Sequence, residues 1–221
     1  MTKTIIPIIL TAFISCNTAT NNSTESISIN NPLAIRLKNP SFEDEPGSAH
    51  TPENWTDCGF QGESPPDVQP NPTFNVFQKA FHGSTYLGFV VRDVGTYEGL
   101  GQKLSIHLSK DTCYSFSAYL SRSTTYESLS QLTKKNTYYN TSCILRIWAG
   151  NKLCENGELI ATSTPISNSN WQIYKFTLAP KQNWKFFKLE AYYAGDKAYN
   201  GNLLIDKLSD ITPCPCAKSE N

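Results

Sequence analysis

The chain has little of what usually betrays chemistry. Of its 221 residues three are histidine, His50, His82 and His107, and one is methionine, the initiator. There is no paired-histidine metal motif, no H-E-x-x-H and no phosphate-cradling glycine loop, and HGSTYLG at residues 82–88 lacks the G-x-S-x-G order of a nucleophile elbow. Net charge is absent as well: 19 Lys and Arg face 19 Asp and Glu, which leaves no electrostatic case for nucleic acid or an anionic surface. No apolar run reaches the ~20 residues of a membrane-spanning helix, and no internal repeat is visible. Cys214-Pro215-Cys216 is C-x-C, without the two-residue spacer of redox and zinc sites.

What is present starts with MTKTIIPIILTAFISC. Lys3, an apolar run from Ile5 to Ile14, then Ser15 and Cys16 make a secretory signal over residues 1–15. FISC resembles a bacterial lipobox, with Phe13 standing where Leu is commoner. The resemblance implies that Cys16 is lipidated and becomes the first residue of a mature chain of 221 − 15 = 206 residues. The alternative is an ordinary signal peptide with an incidental cysteine. Residues 16–31 are small, polar and without apolar period, and read as lipid anchor and flexible tether. A single domain then runs over 32–216, with a tail at 217–221.

Six further cysteines, Cys58, Cys113, Cys143, Cys154, Cys214 and Cys216, are an even number in an exported chain and allow up to three disulfides. Six cysteines permit 15 connectivities. Cys143 and Cys154 flank a short hairpin-like segment and are the expected local pair.

The domain reads as strands. GQKLSIHL sets Leu104, Ile106 and Leu108 on one face, and after the polar turn SKDT, CYSFSAYL sets Tyr114, Phe116, Ala118 and Leu120 on one face. That pattern predicts a β-hairpin with one buried side. CILRIWAG (Cys143, Leu145, Ile147, Ala149), WQIYKFTL (Tyr174, Phe176, Leu178) and KFFKLEAYYAG (Phe187, Leu189, Ala191, Tyr193) alternate likewise, and NLLIDKLSDI closes the chain. The insertion Ser121 to Ser142 reads as a loop, with one helical turn at YESLSQLTKK. Many short strands between turns predict an all-β sandwich or jelly roll.

NPSFED near residue 39 and NGNLLIDKL near residue 200, with KDTCYSFSAYLS and SNSNWQIYKFTLAP between them, resemble the galactose-binding-like jelly rolls, which include many carbohydrate-binding modules. The likeness runs from about Leu33 to Thr212, and the whole chain looks like surface proteins of Bacteroidetes-type bacteria. The resemblance implies a structural calcium ion joining the chain ends, held by Glu43 and Asp206; the other reading is that these acids cap strand ends or bond backbone amides. Asp44 and Glu45 join the set or face water. Calcium takes six to eight oxygens from carboxylates and carbonyls, which suits an acid-rich start to the domain.

Sugar recognition needs aromatic platforms and planar polar side chains. Trp148 with Arg146, opposite Leu145 and Ile147, is one candidate pair. Arg92, Tyr97 and Glu98 in VVRDVGTYEG, and Tyr138 and Tyr139 in the insertion, are others. Each competes with a plain packing role, to which Trp55, Trp171 and Trp184 are assigned. His107 is expected to face solvent. The reading is a lipid-anchored module on the cell surface or outer membrane that binds a glycan. The rivals are an adhesion module with a protein partner and, third, a glycoside-active enzyme, since paired acids are a spatial feature that sequence spacing does not reveal.

Overall fold

The protein is described by a computed structural model over residues 34–214. The alternating segments become eight principal strands: β1 Tyr86–Val91, β2 Gly99–Leu108, β3 Tyr114–Ser121, β4 Thr141–Gly150, β5 Glu158–Thr162, β6 Gln172–Leu178, β7 Trp184–Tyr193 and β8 Gly201–Asp206. One sheet is ordered β1-β8-β3-β6 and the other β2-β7-β4-β5. Every connection except β4 to β5 crosses from one sheet to the other, which is the winding of a jelly-roll sandwich. Asp67–Gln69 extends the first sheet beside β1, and Thr56–Asp57 extends the second beside β2. Among the described residues the only helical element is a 3-10 turn at Pro72–Phe74, and no helix is long and apolar enough to cross a membrane.

Two-residue alternation places the core between the sheets. Leu87, Phe89, Val91, Phe116, Ala118, Leu120, Leu203 and Ile205 face Leu100, Cys143, Leu145, Ile147, Ala149, Phe187, Leu189 and Ala191 across one hydrophobic layer. Each large aliphatic or aromatic side chain buried there contributes about 1.5–3 kcal/mol relative to exposure. Trp55 and Trp184 are buried against this layer and Trp171 lies half-buried with its edge on Tyr86, so all three have packing roles as expected.

Four expectations need correction. β2 and β3 are strands, but they do not form a hairpin: β2 pairs with β7, and β3 pairs with β6 and β8. Alternation fixes the face a strand buries and leaves its partner open, so two strands lining one core from opposite sheets read like a pair. Ile106 is 43% exposed, because the register of β2 against β7 slips between Leu108 and Lys103 and turns this stretch outward. His107 beside it is exposed, as expected. Within the insertion, the expected helical turn is replaced by a small antiparallel hairpin, Glu127–Leu129 with Asn136–Tyr138. Finally, Cys143 does not pair with Cys154. The segment after Cys143 is one strand crossing the body, so Cys143 and Gly150 lie about 23 Å apart at ~3.3 Å per residue. The disulfides are Cys58–Cys154 and Cys113–Cys214. Cys143 is a free thiol buried in the core, where desolvation pushes its pKa up. Cys16 and Cys216 lie outside the described residues.

Candidate functional site

The outer faces of the two sheets differ, and the sequence-predicted site residues divide between them. On the β2-β7-β4-β5 sheet, positions opposite the core on β4 are Arg146 and Trp148. Their cross-strand partners on β7 are Glu190 and Lys188. The Arg146 guanidinium lies 3.8 Å from the centre of the Tyr192 ring and 4.7 Å from that of Trp148. Tyr97 meets Tyr192 edge to face at 5.2 Å, and Phe60 meets Tyr97 at 6.0 Å.

Glu190, with no exposed surface, anchors this group. It accepts from Trp148 Nε1 at 3.1 Å and from Lys188 Nζ at 2.6 Å, and Arg146 Nε lies 3.2 Å away at an angle too poor for a hydrogen bond. One buried acid between two cations is a satisfied arrangement. Beside it opens a groove of about 420 Å³ lined by Ile144, Arg146, Leu159, Tyr192 and Asp196. The Cys58–Cys154 disulfide lies over the neighbouring strand, where a Cβ on Gly101 would meet Cys58 Sγ at 2.9 Å. Arg146, Trp148 and Tyr97 are thus brought together as one aromatic and cationic shelf.

Arg92 is not part of it. Tyr97 and Glu98 are adjacent in sequence and point to opposite sides, so Glu98 joins Arg92 behind the other sheet. There the hairpin Glu127–Leu129/Asn136–Tyr138 and the segment 71–82 cover the outer face, and Tyr86, Val90, Tyr126, Tyr139 and Leu204 form a second small core. Next to that core is a cavity of about 350 Å³ with Glu63, Asp67, Arg92 and Glu98 in its wall. Arg92 Nη2 donates to Glu98 Oε1 at 2.5 Å and to Ser64 Oγ at 3.0 Å, and Arg92 Nε lies 3.5 Å from Glu63 Oε2. Glu98 Oε2 accepts from Val90 N, and Asp67 Oδ2 accepts from Tyr126 Oη at 2.7 Å. Burial raises Glu98 to about 8, against the pull of Arg92, and raises Asp67 as well. Tyr139 is buried here with its hydroxyl donating to Leu129 O, while Tyr138 is exposed.

The acids at the start of the domain have a definite task. Asp206 Oδ2 accepts from Phe81 N and His82 N at 2.9 Å each, and Oδ1 accepts from Lys207 N at 2.6 Å. Both oxygens of Glu43 accept from Ser84 N, at 3.2 and 3.1 Å. Gly83, at φ +69°, lets this turn lie against Glu43: a Cβ there would fall 1.9 Å from Glu43 Oε1. Asp44 caps the next loop through Glu45 N and Glu53 N, and these bonds hold its carboxyl below the usual range. The first and last segments of the described domain therefore meet at residues 81–84, through backbone amides. Burial raises Asp206 to about 6, and the Glu43 charge adds to the rise. Among the described residues no three His, Cys, Asp or Glu side chains are grouped to hold a metal ion.

Sequence reasoning missed Lys188, Glu190 and Tyr192. The signal was present: in KLEAYY they alternate with the core residues Leu189 and Ala191, as Arg146 and Trp148 do with Ile147. Glu63, Asp67 and Tyr126 are brought to Arg92 from distant segments, and no local pattern marks them.

No protein-family model matches the chain, and no curated protein does. Solved structures are similar in fold. A cyclase from Fischerella sp. TAU in complex with 4-(1H-indol-3-yl)butan-2-one is 14% identical, covering 84% of this chain and 99% of its own at a TM-score of 0.54. An arabinose-bound α-L-arabinofuranosidase is 16% identical over 82% of this chain, with a TM-score of 0.53. This chain spans about a quarter of that enzyme, 26% of its length. The K2 cleaved adhesin domain of Lys-gingipain is 12% identical over 80% of this chain and 96% of its own, with a TM-score of 0.50. At these identities the likeness shows the β-sandwich fold. The two disulfides fit an exported protein.

Proposed function

We propose that the protein is a surface-exposed binding module that holds a glycan on the shelf formed by Tyr97, Arg146, Trp148 and Tyr192, anchored to the membrane through a lipid on Cys16. The observation that carries this is the Arg146 guanidinium set against two aromatic rings beside an open groove. A sugar ring stacks on an aromatic edge or face while its hydroxyls accept from a planar guanidinium. Because Glu190 fixes both Arg146 and Trp148, the shelf is preorganised, and little side-chain entropy is lost on binding. The module binds without catalysing: Glu98, the most proton-retentive acid, is tied at both oxygens to Val90 N and Arg92.

A glycan array probed with residues 17–221 tests the reading. Binding that Tyr192→Ala and Trp148→Ala each weaken tenfold or more supports it. An array silent for the wild type, with a protein partner bound instead, favours the adhesion reading; polysaccharide hydrolysis lost in Glu98→Gln would make the chain an enzyme. For the anchor, Cys16→Ala should abolish fatty-acid labelling, and unchanged labelling would refute it.

A structural calcium ion between Glu43 and Asp206 is a separate part of the proposal. What supports it is that the first and last segments of the described domain meet here, with one lone pair of Asp206 Oδ1 uncommitted; what competes with it is the set of amides already answering both carboxylates.

A further inference from the structure

The cavity beneath the 127–138 hairpin is not used by the shelf. It holds three acids, the buried Asp67 and Glu98 and the half-buried Glu63, against one cation, Arg92. Excess buried negative charge is costly unless something compensates it. Arg92 is itself more than nine-tenths buried, lines the same cavity and leaves Nη1 without a hydrogen-bond partner. With Glu98 keeping its proton to about 8, Glu63 and Asp67 face the single charge of Arg92, and the guanidinium lacks an acceptor at Nη1. Among the described residues these acids are not grouped to hold a metal ion, and a molecule carrying an ammonium group and hydroxyls would answer both the acids and the guanidinium.

We propose that this cavity binds a small hydroxylated ammonium compound, of the amino-sugar or amino-alcohol class. Its ammonium group would lie among Glu63 and Asp67 and a hydroxyl oxygen would accept from Arg92 Nη1. The volume, about 350 Å³, is at the lower end of small-molecule sites and suits a single ring. Tyr126 closes one side, stacked on Phe74 at 5.3 Å and bonded to Asp67, so the acid is held in place. The roof is fastened by polar contacts, Gln131 Nε2 to Glu63 at 2.7 Å and Ser130 Oγ to Asp93 at 2.5 Å, which can be exchanged with water when a ligand enters. Burial raises the proton affinity of both Asp67 and Glu98, and the Asp67 charge adds to the rise at Glu98.

Calorimetric titration of the full chain at pH 6.5 with D-glucosamine, D-glucose and D-glucuronate, and with 2-aminoethanol as the amino-alcohol probe, tests this. Saturable glucosamine or 2-aminoethanol binding is expected. Glucose should bind at least tenfold more weakly and glucuronate not at all. Asp67→Asn should lower the glucosamine affinity tenfold or more. Should Asp67→Asn fail to fold, Ser128→Trp, which fills the cavity without touching its charges, should abolish binding while melting cooperatively. Glucose binding as tightly as glucosamine would overturn the charge argument, and no binding of either amine at 10-millimolar order would overturn the site. The proposal does not rest on the shelf, so a silent glycan array leaves it standing.

Discussion

The two outer faces of this sandwich solve the same problem in opposite ways. Both carry charged side chains that the strands force out of the core and that neighbouring segments then bury. On the β2-β7-β4-β5 face one acid, Glu190, lies between two cations, Lys188 and Arg146, and aromatic rings cover the rest. Behind the β1-β8-β3-β6 sheet one cation, Arg92, lies among three acids. The first face gives its acid two cations and offers aromatic edges and an open groove. The second is short of charge and closed by a hairpin. What the comparison teaches is that a jelly roll sets which residues leave the core, while the loops over each face decide whether they become a platform or a pocket.

The comparison breaks most sharply at Glu190. Glu190→Ala strands two nearly buried cations, and the expected loss is about 3–5 kcal/mol, read as a shift in the denaturant midpoint. Trp148→Ala should cost clearly less, since Glu190 keeps both cations. Equal losses would mean that Glu190 is not the organiser of the shelf.

Next comes the disulfide beside the shelf. Cys58→Ser with Cys154→Ser should destabilise by about 2–5 kcal/mol. Thiol labelling of the native, unreduced wild type should leave Cys143 unmodified, and denaturation should expose it. Labelling of Cys143 in the native state would contradict its burial.

A calcium ion at the chain ends would stabilise by roughly 2.7 kcal/mol at a hundredfold excess over its dissociation constant. Chelator should then lower the melting temperature, and calcium should restore it more fully than magnesium. A melting temperature indifferent to both leaves Glu43 and Asp206 as caps of the 81–85 turn.

The last comparison is pH dependence, which Glu98 gives to the closed face. Glu98 in the folded state holds its proton to about 8, from an ordinary value of 4.5, so the folded state binds more protons in between. Stability from this group is full below about 4.5 and declines as pH rises toward 8. Asp206, raised to about 6, adds a decline between 3.8 and 6. Arg92, Asp67 and Glu63 face Glu98 and remain in Glu98→Gln, so that variant should show a flatter fall in melting temperature between pH 6 and 8. Identical slopes would show that Glu98 does not retain its proton.

The open face was largely legible in the sequence and the closed one was not. Period-two alternation gave the core residues of β3, β4, β6 and β7 and turned Arg146 and Trp148 outward together. Their partners on β7 carry the same signal. Strand pairing escaped because alternation names a face and not a neighbour, so β2 and β3 passed for a hairpin and Cys143 for the partner of Cys154. The cavity escaped for a related reason: Asp67, Arg92 and Tyr126 come from three separate segments, and only the folded insertion brings them together. For the acids Glu43 and Asp206, bonding to backbone amides was one of the two readings the sequence allowed, and which amides they bond, those of residues 81, 82, 84 and 207, was not legible.

The most direct test of the shelf uses its own tryptophan. The chain has four tryptophans, so the indole N–H signals of the 15N-labelled protein are few enough to follow one by one during titration with a glycan that the array identifies. The Trp148 indole, bonded to Glu190 and set against Arg146, should shift saturably, while those of the buried Trp55 and Trp184 stay in place. Saturable glycan binding that leaves the Trp148 signal unmoved would contradict the shelf as the binding site.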